Sequence, residues 1–174
     1  MAVTADSNNG GDARLTPRRI VTGTDAQGKS RIASDNRSLE SLDVWGPGSA
    51  TFYNVWRTDP AAHVPHIMGD TDPAAGFTDM TQIFPECGGS HMTISVWPAN
   101  YPPEETMPAW MHSTDSVEYI LIVSGEMTCF FDSGEKVTLA AGDCLIQNGT
   151  AHAWRNESAG DCVMTAISIG AKRA

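Results

Sequence analysis

Residues 111–125 read Met-His-Ser-Thr-Asp-Ser-Val-Glu-Tyr-Ile-Leu-Ile-Val-Ser-Gly, and residues 149–156 read Gly-Thr-Ala-His-Ala-Trp-Arg-Asn. Much of both stretches consists of β-branched and aromatic residues, which strands favour. Successive side chains of a strand point to opposite faces, so residues two apart share a face. If these strands close into a small barrel, the alternation directs His112, Glu118 and His152 into its interior.

These three side chains suit a divalent metal ion. A carboxylate buried among apolar side chains is costly unless a cation lies beside it, and an ion between Glu118 and the two imidazoles removes that cost. Each residue alone has a different interpretation, because a histidine in a sheet is more often a hydrogen-bonded core residue and a glutamate that begins a strand is usually solvated. Their joint occurrence predicts one divalent metal ion held by His112, Glu118 and His152.

The same stretches resemble the cupin superfamily. Its first motif, G-x5-H-x-H-x3-4-E-x6-G, is followed closely over residues 112–125, and its second, G-x5-P-x-G-x2-H-x3-N, less closely over residues 142–156. Thr106 stands where the first motif has its leading glycine, and Thr114 stands where it has its second histidine. The second motif lacks its proline and is one residue shorter.

The resemblance implies a fold, a metal and an assembly. The fold is an all-β, cupin-type antiparallel β-barrel, or jelly roll, and the metal is Fe, Zn, Mn or Ni. A cupin's N-terminal strand often pairs with a neighbouring subunit, so a homodimer is implied as well.

The strand pattern of the whole chain agrees with an all-β fold. A hairpin is expected from strands at 18–23 and 30–34 joined by a turn, and further short strands follow at even spacing with no convincing helix. These further strands are expected at 50–57, 91–97, 126–131, 135–140, 144–147 and 162–168, in addition to those that carry Glu118 and His152. We expect a disordered tail over residues 1–16 and a single domain over residues 17–174.

The loop between residues 59 and 80 is rich in proline and glycine and is long for a compact domain, so it is a lid, a partner-contacting segment or a partly disordered stretch. Of these interpretations, a lid over a pocket leads. Its His63 and His66 are separated by a proline and are interpreted as surface residues rather than ligands. The chain contains four cysteines without a C-x-x-C spacing, which indicates free and mostly buried thiols.

The charge of the chain limits its partners. A formal net charge of −10 argues against nucleic acid and against an anionic membrane surface, since both would repel the protein. The first residues do not resemble a secretory signal and no apolar run reaches membrane-spanning length. A soluble, cytoplasmic protein with a small-molecule substrate is therefore expected.

Two further residues are candidates for catalysis. The Thr114 hydroxyl would lie close to the metal, where it could hold a water molecule or a substrate oxygen. Glu105 is a candidate general base, although a solvated loop carboxylate is the simpler interpretation. Apolar side chains that would line the same interior as a substrate pocket are Trp110, Ile120, Ile122 and Trp154, of which Trp154 fits equally well as ordinary core.

Two histidines and one carboxylate leave positions open on an octahedral ion, which favours substrate chemistry over a purely structural metal. Three functions remain open. A Lewis-acid lyase or isomerase that performs dehydration, decarboxylation or isomerisation leads. A non-haem Fe(II) oxygenase comes second, and a non-catalytic ligand-binding or sensing protein comes third.

Overall fold

The structure, a computed structural model, describes residues 15–62 and 72–174. Most of the predicted tail, and the histidines at 63 and 66, lie outside the described residues. The strands, in chain order, are β1 (Arg19–Thr24), β2 (Ser30–Asn36), β3 (Ser41–Asp43), β4 (Thr51–Thr58), β5 (Ser90–Trp97), β6 (Ser116–Ser124), β7 (Glu126–Phe131), β8 (Lys136–Ala140), β9 (Cys144–Asn148), β10 (His152–Arg155) and β11 (Cys162–Gly170). Two short 3₁₀ helices span Met80–Ile83 and Glu104–Trp110.

The strands form three antiparallel sheets. The largest has the order β3-β4-β5-β11-β6-β9, the second has the order β10-β7-β8, and β1 and β2 form a hairpin of their own. The last long strand, β11, lies between β5 and β6 and pairs with both of them. Strands distant in sequence are thereby brought side by side, which is what assembles a site from separate segments.

Alternation along the central strands separates an inner face from an outer face. On β6, Glu118, Ile120 and Ile122 are buried, whereas Tyr119 and Leu121 between them are exposed. The same holds on β5, where His91, Thr93, Ser95 and Trp97 are buried. The inner faces pack into one apolar cluster that includes Phe52, Met127, Leu139 and Met164.

Asn156 ties the end of β10 to the end of β5. Its side-chain amide nitrogen lies 3.1, 3.0 and 2.8 Å from the carbonyl oxygens of Trp97, Pro98 and Gly160. Its side-chain oxygen accepts hydrogen bonds from the backbone N–H and the hydroxyl of Ser158, at 2.9 and 2.7 Å. Because Asn156 is fully buried, this side chain holds the two sheets together at one end.

The all-β prediction is confirmed, and the predicted hairpin and strands lie within about two residues of the observed ones. Two details differ. Strand β3 was not predicted, because its three residues, Ser41–Asp43, lie in a polar stretch. No convincing helix was expected, whereas the segment before the first motif contains the 3₁₀ helix Glu104–Trp110, whose short turns carry no apolar periodicity in the sequence. In the described part of the chain, no helix is long and apolar enough to cross a membrane.

Candidate active site

A cavity of about 510 Å³ opens between the sheets and contains the predicted polar residues. His112, Glu118 and His152 all contribute to its wall. Most of the remaining wall is apolar, and it includes aromatic rings from five parts of the chain, namely Trp45, Phe52, Trp97, Trp110 and Trp154. A pocket with a few convergent polar groups in an apolar wall is the usual form of a small-molecule site.

The two histidines are neighbours through the backbone. His112 lies just before β6 and forms an isolated antiparallel bridge with His152 at the start of β10, with N–H···O distances of 2.9 and 2.8 Å in the two directions. Directly opposed residues of an antiparallel pair bring their side chains together. The ring centroids are accordingly 4.4 Å apart, with His152 buried and His112 exposed.

The hydrogen bonds of the imidazoles define which nitrogen is available. His112 Nδ1 lies 2.9 Å from the carbonyl oxygen of Trp110, and His152 Nδ1 lies 3.0 Å from that of Thr150. A carbonyl oxygen only accepts, so each Nδ1 carries the proton, and in the neutral ring Nε2 keeps its lone pair. This tautomer is the usual one when Nε2 binds a metal ion, since a carbonyl partner on the other nitrogen fixes the ring.

Glu118 is held by hydroxyl groups. Thr114 and Ser116 each place a side-chain oxygen 3.0 Å from Oε1 of Glu118, and these two hydroxyls are 2.9 Å apart. All three residues are buried. Both hydroxyls use the same carboxylate oxygen, so the other oxygen, Oε2, is not engaged by them.

His152 is held in its neutral form. Burial lowers the pKa of His152, and the nearby His112 lowers it further, against opposing effects of the Thr150 carbonyl and of Glu118. The imidazole is therefore uncharged near neutral pH, which leaves its Nε2 able to donate a lone pair.

The donors fit a divalent metal ion in chemical type. Two neutral imidazoles with available Nε2 atoms and a hydrogen-bonded carboxylate are a familiar ligand combination. Within residues 15–62 and 72–174, however, no three His, Cys, Asp or Glu side chains are placed so that they could hold a metal ion. The carboxylate is hydrogen-bonded to the two hydroxyls, while the two imidazoles lie next to each other. The residues therefore match a metal ion in the kind of donor atom and in the tautomer of each imidazole, and not in their arrangement.

Comparison with known proteins identifies the family of this chain. The sequence profile that describes the cupin domain matches residues 99–168, a range that contains both histidines and Glu118. Phomopsin biosynthesis cluster protein D of Diaporthe leptostromiformis is 46% identical over 144 residues, which cover 82% of this chain and 72% of that protein. The chain belongs to the cupin superfamily. Cupins typically bind a metal ion.

Two more distant comparisons complete the description of this cupin. The cupin-domain-containing oxidoreductase virC of Hypocrea virens is 37% identical over 46 residues, which cover 26% of this chain and 24% of that protein. The crystal structure of a cupin superfamily protein from Desulfitobacterium hafniense aligns with a TM-score of 0.39 and 18% identity, over 47% of this chain and 67% of that one.

Three of the four residues predicted to line the cupin's pocket do so, namely Trp110, Ile120 and Trp154. Ile122 does not line the cavity. It shares the inner face of β6, as alternation predicted, but lies one step further along the strand, where Gly142 and Asp143 close the barrel with backbone hydrogen bonds to it. The alternation of side chains identifies the inner face of a strand, but it does not show where along that face the cavity ends.

The two residues predicted to be catalytic have different surroundings. Thr114 is buried and contacts Glu118, so its hydroxyl holds the carboxylate, and Thr114 itself is outside the cavity wall. Glu105 is exposed on the second 3₁₀ helix and does not line the cavity. Its position agrees with the simpler interpretation of a solvated carboxylate.

Several wall residues were not predicted. Trp45 follows β3, and its ring lies 3.9 Å from that of Trp110, measured between centroids. Met80, Ile83 and Phe84 come from the first 3₁₀ helix and the residue after it, close to the end of the predicted lid. Their apolar character next to a polar loop was the available signal, but nothing in their spacing indicated which strand they would cover.

Proposed function

We propose that this cupin is a metal-dependent enzyme that acts on a small organic molecule with an oxygen donor, as a lyase or isomerase that uses Lewis-acid chemistry. In this proposal His112, Glu118 and His152 hold one divalent ion, which is Fe, Zn, Mn or Ni. The observation that carries it is the pair of imidazoles, each with Nδ1 bound to a backbone carbonyl, inside an apolar cavity. The relative named for a biosynthesis cluster supports a role in making a natural product.

In this proposal the residues of the site have different roles. A bound divalent ion supplies the Lewis acidity that polarises a substrate oxygen. His152 is fixed by the Thr150 carbonyl and His112 by the Trp110 carbonyl, so both rings are oriented before any ligand arrives. Thr114 and Ser116 hold the carboxylate of Glu118, and the apolar wall excludes water, which strengthens the electrostatic interactions inside.

A second function, a non-haem Fe(II) oxygenase, is favoured by one specific observation. The relative from Hypocrea virens is described as an oxidoreductase, and it shares 37% identity with this chain over 46 residues. The same donors serve Fe(II) in oxygenases, so the two functions differ in their need for O₂ rather than in their residues.

The experiment that tests the proposal uses the metabolite that accumulates when the gene is deleted from its source organism. We expect purified protein loaded with Mn²⁺ or Zn²⁺ to convert this metabolite without O₂. The His152→Ala variant should lose at least 100-fold in rate, whereas Ser113→Ala, an exposed neighbour of His112, should keep the wild-type rate. Turnover that requires both Fe(II) and O₂ would show the oxygenase instead, and no accumulating metabolite or no turnover would contradict both.

We further propose that the protein is a homodimer through the outer face of the six-stranded sheet. Ile146, Tyr119 and Ile167 lie side by side in register on β9, β6 and β11, and their side chains are 56%, 50% and 38% exposed. Leu121 and Val123 extend the same exposed face. Large exposed apolar patches mark interaction surfaces, and a second copy of the chain would present the same patch to this one.

Light scattering coupled to size-exclusion chromatography tests the assembly. Wild-type protein should elute as a dimer and Ile146→Lys as a monomer. Val137→Lys is the matched control, since Val137 is 38% exposed but lies on β8 in the other sheet. A wild-type monomer, or a dimer that survives Ile146→Lys, would contradict this interface.

A further inference from the structure

The cavity wall is dominated by tryptophan. Four of the chain's five tryptophans line it, and the fifth, Trp56, does not. Trp97 is only 3% exposed, while Trp45 is 48% exposed and lies 6.2 Å from Trp97 between ring centroids. The rings thus form a continuous aromatic surface that runs from the closed part of the cavity towards solvent. Aromatic faces contact other aromatic rings with a gain beyond the area that they bury.

The cavity wall also carries very few charged side chains. Among the described residues that line the cavity there is no lysine or arginine, and Glu118 is the one acidic side chain. A carboxylate or phosphate on the body of a ligand would therefore lose its water without finding a counter-ion, and this is unfavourable. The wall excludes molecules with a negative charge outside the polar end of the cavity.

The polar groups are concentrated in one place. His112 and His152 are bridged through their backbones, and Glu118 lies opposite Ser168 in the register of β6 and β11. Trp45 and Trp97 come from separate segments, after β3 and at the end of β5. A ligand that fills the cavity would contact both the imidazoles and the tryptophan rings.

We propose that the substrate has an uncharged aromatic body and a single oxygen-bearing head group, and that Trp45 and Trp110 select for the aromatic body. The position of the head group rests on the proposed function, whereas the selection for an uncharged aromatic body rests on the wall alone. The two tryptophan rings lie 3.9 Å apart between centroids, so both contribute to the same part of the surface.

The test is calorimetric binding of three probes that share a bicyclic skeleton. In all three probes the hydroxyl is the head group. Methyl 6-hydroxy-2-naphthoate has an aromatic body with a neutral ester, 6-hydroxy-2-naphthoate has an aromatic body with a carboxylate, and the fully saturated decahydro form of the methyl ester has a neutral body that is not aromatic. The neutral aromatic ester should bind at least ten-fold more tightly than the anion and at least five-fold more tightly than the saturated ester. Equal or tighter binding of the anion or of the saturated ester would overturn the proposal.

Variants of the tryptophans test which rings produce the preference for the aromatic ester. Trp45→Leu and Trp110→Leu should each weaken binding of the aromatic ester at least five-fold and leave binding of the saturated ester nearly unchanged, so that the preference is lost. Trp56→Leu is the matched control and should keep the full preference. Variants that retain the preference would refute the assignment to these two rings.

The same titrations separate this inference from the proposed function. They are repeated on protein dialysed against EDTA, because neither the aromatic surface nor the lack of basic residues depends on a bound ion. A preference that persists in protein without turnover leaves this inference intact while the proposed function fails. Turnover by a protein that shows neither preference would overturn this inference and leave the proposed function intact.

Discussion

Replacing Asn156 with alanine should destabilise the protein strongly without touching the cavity. The side chain of Asn156 is fully buried and supplies hydrogen bonds to three backbone carbonyls and accepts two from Ser158. Its removal leaves these groups without their partners at the place where β5 and β10 are held together. Buried polar groups that lose their partners cost more than the bond was worth.

The size of the effect follows from the number of bonds. Two amide protons are shared among three carbonyls and the side-chain oxygen accepts two bonds, so about four hydrogen bonds are lost. At about 1 kcal/mol net for each, and with water reaching some of the groups near Ser158, we expect a loss of about 3 kcal/mol in the free energy of unfolding. For a chain of this length that corresponds to a fall of about 6–12 °C in melting temperature.

Urea unfolding followed by circular dichroism measures this loss. The control is Asn148→Ala, which removes the same side chain from an exposed position on β9 and should change the free energy of unfolding by less than about 0.5 kcal/mol. A loss below about 1 kcal/mol for Asn156→Ala, or an equal loss in the control, would show that the network does not hold the two sheets together.

Three other predictions concern separate parts of the molecule. A Cβ at Gly125, where φ is +75°, would lie 2.4 Å from the Asp161 carbonyl oxygen, whereas one at Gly134, where φ is +88°, has open space. Urea unfolding should therefore show a loss of about 1–2 kcal/mol for Gly134→Ala and at least about 2 kcal/mol more for Gly125→Ala, and equal losses would refute the role of close packing. Burial lowers the pKa of His91, so as the pH falls through about 6.5 the histidine takes up a proton in the unfolded chain but not in the folded one, and the folded state loses stability. Between pH 7.5 and 5.5 the free energy of unfolding should therefore fall more for the wild type than for His91→Gln. An equal fall in both proteins would contradict this. Burial raises the pKa of Cys129 and of Cys162 to about 12, while Cys87 and Cys144 are exposed, so mass spectrometry after iodoacetamide treatment of the native protein should find label on the latter two alone.

The sequence predicted the strands well because alternation is a local property. Glu118, Ile120 and Ile122 share the inner face of β6, and Tyr119 is on the outer face, as parity requires. The pairing of His112 with His152 was also within reach, since both lie in matched motifs, although the bridge itself depends on long-range packing. The prediction of mostly buried thiols is correct for two of the four cysteines.

The cavity wall was harder to predict. Trp45 and Phe84 both line the cavity, and Trp45 contacts the distant Trp110, but a turn or the end of a short 3₁₀ helix has no periodicity that shows which side faces inward. The limit of the cavity along β6 is another tertiary property, because the closure beside Ile122 comes from Gly142 and Asp143 on a different hairpin. Local pattern identified the faces, and the packing of separate segments determined which residues meet.

The claim on which the proposed chemistry depends is that His112, Glu118 and His152 together bind one divalent ion. Elemental analysis of protein purified without added metal tests it most directly, with His112→Ala and Ser113→Ala analysed in parallel. We expect about one divalent metal ion per chain in the wild type and in Ser113→Ala, and almost none in His112→Ala, which should remain folded by circular dichroism. Wild-type protein without metal, or a folded His112→Ala variant that retains the full amount, would contradict the claim.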